Sequence, residues 1–443
     1  GLGDVYKRQP KKVREIGQEG NIVAIRKTAN MLYLVTQTAP NYWLLKEGGE
    51  VNLKPAVYDS NEEGEQLLQN DRISILPNSQ DPNYTVISVL DLASGETAKV
   101  ETESYLGGGA GFYMSHEAMY ITAGLYNDNL AAQDGIMNRM MLRTPSETTI
   151  YRFGIQGTSV YLAGQTTIKG TVLNQFSMDE YNGYFRVATT EGNTRGEEAD
   201  STSAITIFDK QMVQQGKIRD LAKGERIYSA RFMGDRAYIV TFKEMDPLFA
   251  FDLADPKNPK VLGELKIPGY STYLHPIGEN HLLGLGYDTG VEKDKDSGQS
   301  FVVQKGVKLS LFDVTDLSNP IEKDVEIIGG QGSYSQALDN HKALFRHTGK
   351  NLFGFPVSLY SHVGTQEIKY NGSGARLYEV TPEKGIELAA DIVNYNSVME
   401  YENWEETVQR MLYIDDALYL VSNTVINSYD LNSFAAISTV KLR

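Results

Sequence analysis

Two stretches of this chain are near copies of each other. Leu248-Phe249-Ala250-Phe251-Asp252-Leu253-Ala254-Asp255-Pro256-Lys257-Asn258-Pro259 is matched 61 residues later by Leu309-Ser310-Leu311-Phe312-Asp313-Val314-Thr315-Asp316-Leu317-Ser318-Asn319-Pro320. A repeat of that period is too long for a coiled coil. It fits a supersecondary unit that buries its apolar face by stacking against its neighbours. Weaker copies of the strand ending in Asp stand at Val89-Leu90-Asp91-Leu92, Ile207-Phe208-Asp209 and Ser428-Tyr429-Asp430-Leu431. Leu377-Tyr378-Glu379-Val380 substitutes Glu, and Ile150-Tyr151-Arg152-Phe153 lacks the acid, which makes seven units.

Each unit reads as four short strands. From Arg226 they are 227–232, 237–242, 248–253 and 261–267, separated by Gly234-Asp235 and by the Asp255 to Pro259 turn. The second strands are apolar runs, as in Ala237-Tyr238-Ile239-Val240, Leu282-Leu283-Gly284-Leu285, Met31-Leu32-Tyr33-Leu34-Val35 and Ala417-Leu418-Tyr419-Leu420-Val421. A strand with one wet face alternates polar and apolar residues, so these runs are expected to be covered on both faces. Radially packed blades achieve that. The expected fold is all-β, a β-propeller of about seven four-stranded antiparallel blades starting near residues 21, 105, 175, 226, 271, 333 and 407. Helical periodicity is limited to 130–141 and to parts of 62–70.

Residues 10–443 are read as one propeller domain. Gly1 to Gln9 carries neither an initiating Met nor the apolar core of a signal peptide, and reads as a non-native leader. Pro10 to Ile16, within residues 10–20, reads like Pro259 to Leu265, which closes a repeat elsewhere. Residues 10–20 are expected to be the outer strand of a truncated upstream blade, or else the strand that closes the ring onto the last blade.

Among 443 residues, 42 Lys and Arg stand against 57 Asp and Glu, a net charge of −15. That balance argues against nucleic acid, whose binding is driven by cationic side chains that release counterions. No stretch approaches the run of ~20 apolar residues that a membrane-spanning helix needs. The absence of Cys excludes disulfides, thiolate metal sites and a cysteine nucleophile.

Several long strings carry a family likeness. Gln175-Phe176-Ser177-Met178-Asp179-Glu180-Tyr181-Asn182-Gly183-Tyr184-Phe185-Arg186-Val187-Ala188-Thr189-Thr190, Tyr228 through Tyr238, Asp246-Pro247-Leu248-Phe249, and Gly263 through Pro276 are similar to a family of secreted bacterial and archaeal proteins. Members of that family have a C-terminal β-propeller domain distantly related to WD repeats. The resemblance runs from about Val13 to Arg443. It implies a propeller and export to the cell envelope or beyond. It brings no catalytic residues.

In a four-stranded meander, the second-to-third connections and the links between blades emerge at one end. Insertions are expected there at 39–84, 127–147, 191–202, 289–305 and 360–373. Loops on a rigid scaffold are where binding residues concentrate. The candidate binding residues are Tyr42 and Trp43 in the longest insertion, Ser229 and Ser335 from the aromatic-Ser pairs that open blades, and Tyr273 and His275 just inside a blade-opening turn. Trp404 is a further aromatic anchor. The acidic residues of the insertions favour cationic ligands, including Ca²⁺, over anionic ones.

Other motifs point to structure. His275, His281, His341 and His347 lack metal-site spacing and read as structural. Asp179 and Glu180 are adjacent on a strand, so they point to opposite faces. Residues 292–298 fail the calcium-loop pattern, because the Gly falls one place late and no Glu follows at position twelve. Gly107-Gly108-Gly109-Ala110-Gly111 precedes a strand and lacks the helix N-terminus of a phosphate loop. No metal, cofactor or catalytic residue is required. The expected function is a secreted or envelope scaffold that binds a protein or glycan through its insertion end. The alternative is a hydrolase or metal-dependent lyase at the channel mouth.

Overall fold

The computed structural model describes residues 12–40, 42, 44, 47–48, 52–109, 111–125, 146–193, 200–242, 246–293, 300–363, 367–395 and 402–442. These are almost entirely strand and turn. Seven sheets share one plan, an antiparallel meander whose strands pair in chain order. The all-β propeller fold expected from the repeat is the fold observed.

The chain forms two compact units, residues 1–192 with 205–216, and residues 193–204 with 217–443. In the first unit, one sheet runs Asn21–Thr28, Met31–Thr38, Tyr84–Asp91 and Val100–Leu106, with Ile73–Ile75 added in parallel at its outer edge. The next runs Gly111–Met114, Ala118–Leu125, Glu147–Gln156 and Ser159–Lys169. A third runs Met178–Tyr181, Tyr184–Glu191, Thr202–Phe208 and Gln214–Leu221, of which residues 202–204 and 217–221 are counted with the second unit. The second unit holds four sheets. They are Arg226–Met233, Arg236–Phe242, Asp246–Asp252, Lys260–Ile267; Tyr270–Ile277, His281–Lys293, Ser300–Asp313, Ile321–Ile328; Phe345–Arg346, Leu352–Val363, Glu367–Thr381, Gly385–Tyr395; and Arg410–Ile414, Ala417–Val421, Val425–Asp430, Ala436–Lys441.

The repeated acid has a local job. The Asp252 carboxylate accepts the Ala254 N–H at 2.9 Å, and that of Asp313 accepts the Thr315 N–H at the same distance. Asp91, Asp209 and Asp430 likewise accept the N–H two positions on. This is the Asx turn that short acidic side chains favour. The residue after the acid also donates its N–H to the first-to-second turn of its own sheet, Leu253 to Asp235 at 2.7 Å and Val314 to Asn280 at 2.8 Å. The carboxylate thus holds the third-to-fourth turn, and a backbone bond from the next residue ties that turn to the first-to-second one.

The core follows the second strands. Ala237 to Val240 are all buried, with Tyr238 and Val240 packed against Leu274 and Leu282 of the next sheet; Leu282 faces that way while Leu283 and Leu285 pack on the other face against Phe353, Phe355 and Val357. In Met31–Thr38 and Ala417–Val421 burial partly alternates instead. There, packing within the unit covers one face more fully than the other, so the expectation of double coverage fails for these two strands.

The glycine run at 107–111 is steric in origin. A Cβ on Gly109 would lie 2.2 Å from the Thr122 carbonyl oxygen, and one on Gly108 would lie 2.1 Å from Thr85 Oγ1. Only Gly lets the chain pass so close to other strands. The second sheet accordingly starts at Gly111, and Tyr105, near the expected start, belongs to the last strand of the sheet before it.

The 39–84 insertion folds partly as strand. Ile16–Gln18 pairs with Ala56–Asp59, which pairs with Glu65–Leu67, in a three-stranded sheet. The 62–70 region, read as partly helical, thus contributes a strand, because the pairing supplies bonds that a short isolated helix lacks. The segment read as an outer strand of an upstream blade pairs here with the insertion. Residues 1–11 and the expected helix at 130–141 lie outside the described residues.

Candidate functional site

The five insertions join second to third strands, as expected from the strand spacing. In the second unit two of them are hairpin extensions, His281–Lys293 with Ser300–Asp313 and Leu352–Val363 with Glu367–Thr381. At the insertion end of these sheets lies a band of half-buried rings. Tyr270, the first residue of its strand, stacks at 4.7 Å from Tyr228, 4.5 Å from Phe242 and 5.9 Å from Tyr287. Phe242 ends its strand and pairs with Arg226, whose guanidinium sits 4.6 Å over the Tyr228 ring and donates to the Tyr228 hydroxyl at 2.9 Å.

Polar groups edge the band. Gln304 Nε2 donates to the Tyr270 hydroxyl at 2.8 Å, and Tyr334 donates to Asp339 Oδ2 at 2.9 Å. Burial raises the Tyr287 hydroxyl to about 12, helped by Tyr270 and Asp339. The Tyr287 phenol therefore stays protonated at neutral pH and, like its neighbours, joins a hydroxyl to an apolar ring. Nearby, the buried Glu402 carboxylate accepts Ser358 Oγ at 2.5 Å, Thr407 Oγ1 at 2.9 Å and the Tyr360 hydroxyl at 3.4 Å.

The residues singled out in the sequence divide among different settings. Ser229 is buried and donates to the Ser271 carbonyl at 2.8 Å. Ser335 is buried and caps a turn by accepting the Ala337 N–H at 3.2 Å. In both, the hydroxyl is used within the fold. Tyr273 and His275 are brought together, with the Tyr273 hydroxyl 3.2 Å from His275 Nδ1. They lie on the first strand of their sheet, and Leu274 between them points into the core. In the first unit Tyr42 is exposed and donates to the Pro82 carbonyl at 3.0 Å. Trp43 lies outside the described residues, while Trp404 is 69% exposed.

The remaining motifs resolve into structure. Asp179 pairs with Arg186, and Glu180 on the opposite face accepts Ser115 Oγ at 2.6 Å and the Tyr120 hydroxyl at 3.0 Å. His281 faces Asp313, and His347 stacks on Tyr413 at 4.3 Å. Among the described residues no three His, Asp or Glu side chains gather as a metal site. Glu197, Glu198 and the acidic loop at 294–298 lie outside the described residues. No described helix is long and apolar enough to cross a membrane. Sequence reasoning missed the band, because its rings come from strands far apart in the chain.

Residues 2–434 match the family of β-propeller domains. The chain belongs to that family. Relatives of this propeller include an uncharacterized protein of Methanocaldococcus jannaschii, 40% identical over 274 residues, which are 62% of this chain and 37% of the relative. Another, from Archaeoglobus fulgidus and also described only as uncharacterized, is 36% identical over 301 residues, 68% of this chain and 40% of the relative. The propeller thus matches about two fifths of the length of these relatives.

Proposed function

We propose that this propeller is a secreted or cell-envelope binding scaffold that engages a glycan or another protein through the insertion ends of its sheets. The observation that carries the reading is the Tyr228, Phe242, Tyr270 and Tyr287 band, edged by Gln304 and Asp339. Rings that present an apolar face beside fixed donors and acceptors suit a ligand that is itself apolar on one face and hydroxylated at its rim. A sugar ring has that character, which favours a glycan over a protein segment. The acidic insertions add attraction for cationic ligands, Ca²⁺ included, that weakens as salt rises.

The test compares wild type with Tyr270→Ser and with a variant in which residues 289–305 are replaced by a Gly-Ser turn, on a glycan array and by cross-linking in envelope extract. Binding that falls at least tenfold in both variants, with the circular dichroism spectrum unchanged, is the expected result. Equal binding by all three proteins would place the function elsewhere.

A further inference from the structure

The last two sheets of the second unit, at 345–395 and 410–441, meet through an interface that changes character along its length. Its middle is apolar, with Ala375, Leu377 and Ile392 of one sheet packed with Met411, Leu418 and Leu420 of the other. Strand residues two apart share a face, so Ser373 follows Ala375, and Asn394 follows Ile392, toward the insertion end. Pairing puts them in one row, with Ser358 opposite Ser373 and Ser373 opposite Asn394. On the facing sheet Leu420 stands opposite Asn427, and Asn427 opposite Thr439. Small and polar side chains thus occupy both walls where apolar ones would have closed the gap.

A cleft of about 680 Å³ opens there, lined by Ser373, Asn394, Asn403, Asn427 and Thr439. That size is usual for a small-molecule site, roughly 300–1,000 Å³. Much of its polar lining is not used within the fold. Asn394 is exposed and makes no side-chain hydrogen bond among the described residues. Asn427 Oδ1 accepts from Thr439 Oγ1 at 2.8 Å, and Asn403 Oδ1 accepts the Glu405 N–H at 3.2 Å, so both amino groups are left to donate. Ser373 Oγ accepts the Tyr370 hydroxyl at 2.9 Å, which leaves its own proton for another acceptor. Charge is balanced along the cleft. Asp391 is paired with Arg376 at 3.0 Å, and Glu406 and Lys441, both exposed, are of opposite sign. Away from the insertion end, Tyr429 and Phe434 add rings to the lining.

We propose that this cleft binds a neutral sugar. A carboxamide holds donors and an acceptor in one plane, and a hydroxyl both gives and takes a hydrogen bond. The side chains of Asn394, Asn403 and Asn427, with the hydroxyl of Ser373, therefore match a ring that carries several hydroxyls. A charged ligand would give up hydration for a lining whose charges already cancel. Tyr429 and Phe434 offer apolar surface to the C–H face of the ring. The site is separate from the aromatic band, which stands on the sheets at 226–267 and 270–328, and neither site requires the other.

NMR of the full chain with isotopically labelled Asn tests this, in separate titrations with glucose, galactose, mannose and N-acetylglucosamine. Saturable movement of the Asn394, Asn403 and Asn427 side-chain signals is expected with at least one of these sugars. Asn394→Ala, at an exposed position with no side-chain bond to lose, should weaken that binding about tenfold, the scale of one or two lost hydrogen bonds. Asn427→Ala should do the same. Tyr270→Ser should leave the affinity unchanged, which separates this site from the aromatic band. Glucosamine and glucuronate, the charged relatives, should bind more weakly than the neutral sugar. No saturable movement up to about 50 mM of each neutral sugar, where even a millimolar site would be filled, overturns the proposal. So does equal affinity in Asn394→Ala, loss of binding in Tyr270→Ser alone, or tighter binding of either charged sugar.

Discussion

Asp252 and Asp313, 61 residues apart, hold their turns in the same way, each carboxylate 2.9 Å from the amide nitrogen two residues ahead. Asp313 does more, because its second oxygen faces His281 Nε2 at 3.5 Å. Replacing either acid by Ala should cost about 1–2 kcal/mol, the range for a lost charge-assisted hydrogen bond. The cost at Asp313 should be the greater. Urea denaturation of the two variants beside wild type measures both numbers, and equal stability of all three would reduce the repeat to a packing pattern.

Stability should depend on pH through His275. Its folded value of about 4 lies below its ordinary 6.5, so between those values the unfolded chain binds more protons than the folded one. The contribution is fully present above pH 6.5 and is lost as pH falls toward 4, about 2–3 kcal/mol in all. His275→Gln should flatten that part of the profile. Melting temperatures recorded between pH 4 and 7 for the two proteins give the comparison, and parallel profiles would contradict the assignment.

Gly269 precedes a first strand with φ of +90°, and a Cβ there would stand 2.4 Å from the Tyr287 carbonyl oxygen. Gly269→Ala meets both a backbone penalty and a clash with backbone that cannot move aside. A loss of about 2–4 kcal/mol is expected from overpacking and strain together. Gly278, also at positive φ but with nothing near its Cβ position, should lose only the smaller conformational share when changed to Ala. Thermal melts of the pair separate the two effects.

The buried Glu402 gathers three hydroxyls, from Ser358, Thr407 and Tyr360. Glu402→Ala strands those donors and should cost about 2–4 kcal/mol, whereas Glu402→Gln keeps an acceptor and should cost less. Chemical denaturation with both variants decides this. A smaller loss in Ala than in Gln would show that the carboxylate is tolerated there and is not a tie between its neighbours.

Much of the fold was written locally. The Asp that ends third strands, the two-residue turns such as Gly234-Asp235 and the apolar second strands are short-range signals, since turn chemistry and strand alternation act within a few residues. They sufficed for an all-β propeller, for the count of about seven sheets and for the position of every insertion between second and third strands. Tertiary structure decided what local signals cannot carry. Ile16–Gln18 found its partner in Ala56–Asp59, because pairing depends on which edge comes within reach. The glycine run at 107–111 proved to be a close crossing of chains, visible only once Thr85 and Thr122 stand beside it. The candidate site depends on convergence across sheets: Tyr228 and Tyr270 lie tens of residues apart and meet only because sheets of the same unit stack. Side-chain chemistry is legible in a sequence one residue at a time. A site is a distance between residues, and packing sets that distance.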